Sequence, residues 1–180
     1  MLSSIARAVE VITSDVGSWS GQYPFQICYA YGGANPCISD GTYFSNEGIG
    51  QGDVIFAYTD RYIYKTFSVP QGFSGDTMYL SLDMMTGPRN QNQSNKTEYV
   101  LITILQRNAT GTLLKQDTIG ENITNTTMDT FDYTVAKNAN TASVEIRISG
   151  RDGGYWAGNY GAVIGANTIT LNDGATTPTY

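Results

Sequence analysis

The sequence predicts an all-β domain, a jelly-roll β-sandwich of about nine or ten strands, in preference to an immunoglobulin-like sandwich. Three observations predict it. Apolar residues recur at every second position in several segments, and this period of two is typical of strands. No segment keeps a helical period of 3.6 residues. Clusters of Gly, Asn and Asp separate the alternating segments, as turns do.

The clearest predicted strands alternate strictly between apolar and polar residues. Segments 77–84 and 143–149 each place their apolar residues on one face, as a half-buried strand requires. Segment 99–105 is apolar on both faces except at Thr103, which predicts a central strand of a sheet. The other predicted strands are 8–13, 26–31, 53–58, 62–69, 113–118, 130–135 and 165–171, and a short helix is predicted at 3–10.

The domain organisation follows from the same pattern. The chain has 180 residues, enough for one domain that buries a core of its own. We expect an N-terminal extension at 1–9, the β-sandwich at 10–172, and a tail or linker at 173–180, where Thr predominates. The Asn- and Gln-rich stretch 86–97 is predicted to be a polar loop between two strands.

Composition argues against several classes of function. The net charge is −6 and there is no histidine. Nucleic acid, an anionic membrane surface, a histidine-dependent catalytic triad and a His-ligated metal are therefore not expected, and no apolar run is long enough to span a membrane. Carboxylates such as Asp129 and Asp132 stand in no recognisable glycosidase setting, so we predict a protein that is not an enzyme. We expect no cofactor, with a structural Ca²⁺ ion on scattered residues such as Asp53 as the alternative.

Cysteines and glycosylation sequons indicate an extracellular or cell-surface protein. Cys28 and Cys37 flank Gly32-Gly33, and we predict a disulfide between them, with two buried free thiols as the alternative. The N-terminus shows no signal-peptide pattern, so the protein is either cytosolic or a mature or trimmed segment of a secreted precursor, and the cysteines and sequons favour the second. Five Asn-x-Ser/Thr sequons predict glycosylation, and their asparagines, all expected outside strands, are Asn92, Asn95, Asn108, Asn122 and Asn125.

One stretch, 149–162, combines large aromatic residues with glycines between two predicted strands. Tyr155, Trp156 and Tyr160 offer flat apolar faces with polar edges, and the glycines permit sharp turns and close approach of another group. A sugar ring has an apolar C–H face and a polar rim, and would fit such a loop. The alternative is that Trp156 and Tyr160 close one end of the sandwich.

The same stretch resembles the F-box-associated (FBA) sugar-recognition domain, whose signature is similar to Gly150-x-Asp152-x-x-Tyr155-Trp156-Ala157-Gly158-x-Tyr160-Gly161. The resemblance spans roughly residues 10–172, but only 150–161 is specific. It implies a galactose-binding-like fold and a glycan ligand, with Tyr155 and Trp156 packed against the chitobiose core of an N-glycan. Ala157 stands where some sugar-binding members have a lysine, and no F-box precedes the domain, so ubiquitin-ligase adaptor binding is not implied.

The sequence as a whole favours a non-catalytic, extracellular carbohydrate-binding module. Tyr155 and Trp156 would stack on the sugar, Asn159 and Tyr160 would form the rim, and Asp152 would hold the loop. The alternative is a glycosylated structural subunit of an extracellular assembly or filament, whose partners are other copies of the chain. A further row of tyrosines is predicted to be half-exposed, as a second binding surface or a subunit interface, and consists of Tyr58, Tyr62 and Tyr64.

Overall fold

The computed structural model describes residues 11–14, 18–21, 26–27, 36–42, 45–56, 62–69, 73, 75–87, 98–151, 161–165 and 168–173. This part of the chain consists of 13 strands and one turn of 3-10 helix at Ser45–Glu47. The strands are β1 (Val11–Ser14), β2 (Ser20–Gly21), β3 (Gln26–Ile27), β4 (Cys37–Asp40), β5 (Gln51–Ile55), β6 (Tyr62–Ser68), β7 (Thr77–Met85), β8 (Glu98–Arg107), β9 (Leu113–Ile123), β10 (Asp129–Ala136), β11 (Ser143–Arg151), β12 (Val163–Ile164) and β13 (Ile169–Asp173).

The strands form two sheets that pack face to face. The five-stranded sheet has the order β2-β6-β11-β8-β9. In the eight-stranded sheet, β7 is the central strand. Strand β10 pairs with one edge of β7 along the whole length of β10, and β13 and β12 both pair with the other edge. From there β13 continues to β1, while β12 continues through β5 and β4 to β3. Every described pairing is antiparallel except that of β3 with β4. The predicted all-β sandwich is therefore confirmed.

The core lies between the two sheets and follows directly from the period of two. Inward positions of β7, β8 and β11 are fully buried, and each such aliphatic side chain contributes about 1.5–3 kcal/mol. Trp19 is also buried and packs edge-on against Phe67, near the end of β6, with ring centroids 6.0 Å apart. The fully buried inward residues of the three strands are Met78, Leu80, Leu82, Met84, Val100, Ile102, Ile104, Val144, Ile146 and Ile148.

One buried polar side chain ties the sheets together at the end of β8. Gln106 has no exposed surface. Its Nε2 donates to the carbonyl of Ala136 at the end of β10, at 2.8 Å. Its Oε1 accepts from Asn138 N and from Thr141 Oγ1, both at 2.8 Å, in the β10–β11 turn. The amide thus satisfies its own polar atoms and fixes the turn that crosses between the sheets.

Several predicted strand boundaries differ from the structure: the strand predicted at 53–58 is Gln51–Ile55, and two others differ more. The strand predicted at 113–118 continues to Ile123, because residues 119–123 pair with the first half of β8; Asn122 therefore lies in a strand, contrary to expectation. The strand predicted at 165–171 begins only at Ile169, as β13, and a separate short strand, β12, precedes it at Val163–Ile164. Between them Thr168 Oγ1 accepts from Asp83 N at 3.0 Å, so a side-chain hydroxyl replaces the backbone partner of β7. The short strands β2 and β4 were not predicted.

The predicted helix at 3–10 and the tail beyond Asp173 lie outside the described residues. Within the described ranges, no helix has the length and apolar character needed to cross a bilayer.

Candidate functional site

The aromatic loop predicted from the sequence falls almost entirely outside the described residues, which stop at Arg151 and resume at Gly161. Asp152, Tyr155, Trp156, Asn159 and Tyr160 therefore remain predicted site residues. The two ends of the loop are nevertheless fixed. Gly150 packs on the ring of Phe56, and Phe56 N donates to the carbonyl of Ala162 at 3.0 Å. The loop accordingly leaves the five-stranded sheet and returns to the eight-stranded one beside Phe56.

Of the two cysteines predicted to form a disulfide, the structure describes Cys37. Cys37 lies in β4 with 1% of its surface exposed and is not a free thiol. Cys28 lies outside the described residues, so the Cys28–Cys37 pairing stays a prediction.

A cleft of about 500 Å³ opens on the outer face of the five-stranded sheet. Its floor is formed by the four strands β6, β11, β8 and β9, because side chains paired across an antiparallel sheet share a face. Tyr62, Ser149 and Leu101 are in register across three of these strands and point away from the core. The lining residues are Tyr62, Tyr99, Leu101, Thr103, Gln116, Arg147, Ser149 and Gly150.

A tyrosine–arginine stack forms the β6 side of the cleft. The Arg147 guanidinium lies 5.2 Å from the centroid of the Tyr62 ring, within the range of a cation–π contact. Glu145, two residues earlier on the same face of β11, accepts a hydrogen bond from Arg147 Nε. Tyr64 packs beside Tyr62 with ring centroids 6.0 Å apart. The guanidinium is therefore anchored by the Tyr62 ring and by the Glu145 carboxylate, which engages Nε.

The β9 side of the cleft carries a second aromatic ring, Tyr99, which is 37% exposed. Its ring lies across Gly120 of the neighbouring strand: a Cβ added at Gly120 would lie 3.2 Å from Tyr99 Cζ and 3.4 Å from Cε2, and closer still to the hydroxyl. Only a residue without a side chain leaves room for the ring to lie over the strand. Gly120 thus sets the orientation in which Tyr99 faces the cleft.

Polar groups fill the space between the two tyrosines. Thr103, Gln116 and Ser149 supply hydroxyl and amide groups, and Arg147 is the charged residue among the described lining residues. The cleft thus offers aromatic faces at both sides and several donors and acceptors on its floor. A ligand with apolar faces and a polar rim matches this arrangement. Among the described residues, no group of three or more carboxylate or cysteine side chains could hold a metal ion.

The sequence predicted part of this site and missed the rest. Tyr62 and Tyr64 lie half-exposed on one face, as predicted for the second binding surface, whereas Tyr58 lies outside the described residues. Tyr99 was not identified, although the apolar outer face of its strand was noticed. The predicted aromatic loop and the cleft are neighbours, since Arg151, the last described residue before the loop, pairs with Tyr99.

No protein-family model matches the sequence, and no curated protein matches it. The FBA resemblance therefore stays a prediction.

Solved structures match the fold over nearly the whole chain. The xylan-binding module CBM15 has a TM-score of 0.53 at 16% identity, and the match covers 93% of this chain and 98% of that one. The CBM22-1 xylan-binding domain of Paenibacillus barcinonensis Xyn10C has a TM-score of 0.52 at 9% identity, covering 95% and 99%. The C-terminal family 22 carbohydrate-binding module of Clostridium thermocellum Xyn10B has a TM-score of 0.51 at 11% identity, covering 92% and 94%. These similarities establish the fold, a jelly-roll β-sandwich of the kind seen in carbohydrate-binding modules.

Longer chains match less well. The enzymatically active domain of the bacteriophage CBA120 tailspike protein 4 has a TM-score of 0.41 at 15% identity, and this chain spans 15% of its length. No argument rests on that match.

Proposed function

We propose that the protein is a non-catalytic carbohydrate-binding module that works outside the cell. The observation that carries the proposal is the cleft on the five-stranded sheet, with Tyr62 and Tyr99 on opposite sides of a polar floor. Each tyrosine provides a face for the C–H side of a pyranose ring, and each such contact contributes on the order of 1 kcal/mol. The floor provides hydrogen-bond partners for the hydroxyl groups.

The ligand class is a glycan chain rather than a single sugar. From β6 to β8 the cleft crosses two strand spacings of about 4.8 Å each, and Tyr99 lies two residues further along the sheet than Leu101, the residue in register with Tyr62. The two rings are therefore too far apart to stack on one pyranose. The proposal gains support from the three carbohydrate-binding modules of the same fold, two of which are described as xylan-binding.

The predicted aromatic loop extends this site. The loop begins at the end of β11, beside Tyr99. Tyr155 and Trp156 would therefore lengthen the binding surface on the Tyr99 side of the cleft. An extracellular location is supported by the five sequons and by Cys37, which is not a free thiol.

Alanine substitution of the two cleft tyrosines tests the proposal. Wild-type protein, Tyr62→Ala, Tyr99→Ala and Tyr79→Ala are compared by affinity electrophoresis against soluble polysaccharides, with xylan included. Tyr79 is the matched control, because it is 44% exposed on the outer face of the other sheet. We expect retardation of the wild type and of Tyr79→Ala by at least one polysaccharide, and clearly weaker retardation of both cleft variants.

Two results would contradict the proposal. Equal retardation of all four proteins would place the binding surface elsewhere. Absence of retardation by any polysaccharide, together with self-association in solution, would favour the structural-subunit alternative.

A further inference from the structure

A glycosylation sequon lies on the same face as the cleft. Asn122 of the sequon Asn122-Ile123-Thr124 is paired across the sheet with Tyr99 and is exposed. Its chain neighbours point the other way: Ile123 is fully buried, and Glu121 accepts a hydrogen bond from Tyr133 of the opposite sheet. Asn122 therefore points outward beside Tyr99, where directly opposite Cβ atoms are about 5 Å apart.

The other two described sequons differ from Asn122, because their asparagine side chains are engaged in the fold. Asn125 Nδ2 donates to the carbonyls of Met84 and Thr127, both at 2.7 Å, so both of its amide hydrogens are used. Asn108 Oδ1 accepts from Thr110 N, Thr110 Oγ1 and Thr112 N within its turn. Asn108 lies in the β8–β9 turn, whereas the cleft residue Tyr99 lies at the opposite end of β8. Asn92 and Asn95 lie outside the described residues.

We propose that Asn122 is a glycosylation site whose glycan covers the Tyr99 side of the cleft and excludes free carbohydrate from it. This inference rests on the proposed function, since it concerns the regulation of the same cleft. The donor is a polyprenyl-pyrophosphate-linked oligosaccharide. The Asn122 Nδ2–C1 bond forms as the C1–O bond to pyrophosphate breaks, Nδ2 loses one proton, and the polyprenyl pyrophosphate leaves, with no change of oxidation state.

Asn122 lies on β9, at the edge of the sheet, and its neighbour on the cleft side is Tyr99. Gly120 has no side chain, so between Asn122 and the rest of the cleft the Tyr99 ring is the surface that the first sugar meets. That sugar presents the same apolar face and polar rim as the proposed ligand. It reaches Tyr99 in the same molecule, so its effective concentration far exceeds that of a free glycan. Protein that carries the Asn122 glycan therefore cannot offer the Tyr99 contact to a free ligand, whereas protein without the glycan can.

The test compares glycoforms of the whole chain secreted from a glycosylating eukaryotic host. Wild-type protein, Asn122→Gln and Thr124→Ala are prepared, with Asn108→Gln as the control sequon. Peptide mass spectrometry measures glycan occupancy at Asn122. Two readouts follow: affinity for the polysaccharide that retards the unglycosylated protein, and nitration of Tyr99 by tetranitromethane, with Tyr79 on the opposite sheet as the internal standard.

We expect a glycan on Asn122, protection of Tyr99 from nitration in the wild type, and recovery of nitration in Asn122→Gln and Thr124→Ala. Affinity should rise at least about threefold in those two variants and stay unchanged in Asn108→Gln, as expected for freeing one aromatic contact. The proposal is overturned if Asn122 is unmodified, or if Tyr99 is nitrated equally in all forms. Protection of Tyr99 without polysaccharide binding in any variant would support the glycan site and refute the proposed function.

Discussion

Replacing Gly120 with alanine should weaken carbohydrate binding without unfolding the protein. The added Cβ would lie 3.2 Å from Tyr99 Cζ and 3.4 Å from Cε2. Favourable contact between carbon atoms begins at about 3.5 Å, so the Tyr99 ring has to move. It is 37% exposed and swings into solvent rather than into the core.

The structure also gives the expected size of the effect. Because the clash is relieved at the surface, we expect the free energy of unfolding to change by no more than about 0.5 kcal/mol. Loss of one aromatic stacking surface costs about 0.5–1.5 kcal/mol of binding free energy, which corresponds to a rise in Kd of about two- to twelvefold.

Titration calorimetry with a soluble oligosaccharide, together with thermal unfolding, measures both quantities. Gly50→Ala is the matched control, because Gly50 lies just before β5 of the other sheet and a Cβ there meets only Asp53 Oδ2, at an ordinary 3.5 Å. Wild-type affinity in Gly120→Ala, combined with weak binding by Tyr99→Ala, would show that Gly120 does not set the position of the ring. An equal loss in Gly50→Ala would refute the local explanation.

Three further predictions concern stability and charge. Gln106→Leu removes three hydrogen bonds and leaves the buried Thr141 hydroxyl and the partly buried Asn138 N unpaired, whereas the Ala136 carbonyl keeps Lys115 Nζ as a donor, so urea unfolding should show a loss of about 2 kcal/mol; a loss below about 1 kcal/mol would contradict the role of Gln106 in joining the two sheets. Arg147→Met should raise Kd several-fold while changing stability by less than about 1 kcal/mol, since the Arg147 side chain is 36% exposed; unchanged binding would remove Arg147 from the site. Burial, followed by the negative charge of Glu121 and its hydrogen bond, raises the pKa of the Tyr133 phenol well above its usual value near 10. Because the unfolded phenol ionises first, this contribution to stability is complete below about pH 10 and is lost above it. Denaturant unfolding from pH 8 to 11 should therefore show a smaller decline in Tyr133→Phe than in the wild type, and equal declines would contradict the pKa shift.

Period-two alternation was enough to predict the fold class, because a strand with one buried face has apolar residues at every second position. β7 and β11 were predicted to within two residues for this reason. Alternation does not show how a strand continues through turn-forming residues. Gly120 and Asn122 look like loop residues, yet pairing with β8 keeps them in β9. Similarly, Thr168 interrupts the last predicted strand through one hydroxyl contact that no sequence pattern marks.

The candidate site was harder to predict, because its outer apolar residues resemble those of a covered face. Tyr99 and Leu101 make segment 99–105 apolar on both sides, and this pattern is the same whether a further layer or an open cleft lies above the sheet. A cleft is indicated only when Tyr99 and Leu101 are considered together with Tyr62. These residues are far apart in the sequence, and the pairing of β6, β11 and β8 places them on one face of the sheet.

An NMR titration of isotope-labelled protein with an oligosaccharide that binds it tests the location of the site most directly. We predict that the largest shifts will fall on Tyr62, Tyr99, Gln116 and Arg147, with smaller shifts on the loop that follows Arg151. Shifts confined to the outer face of the eight-stranded sheet around Tyr79, or to the 152–160 loop with the cleft unaffected, would contradict the assignment of carbohydrate binding to the five-stranded sheet.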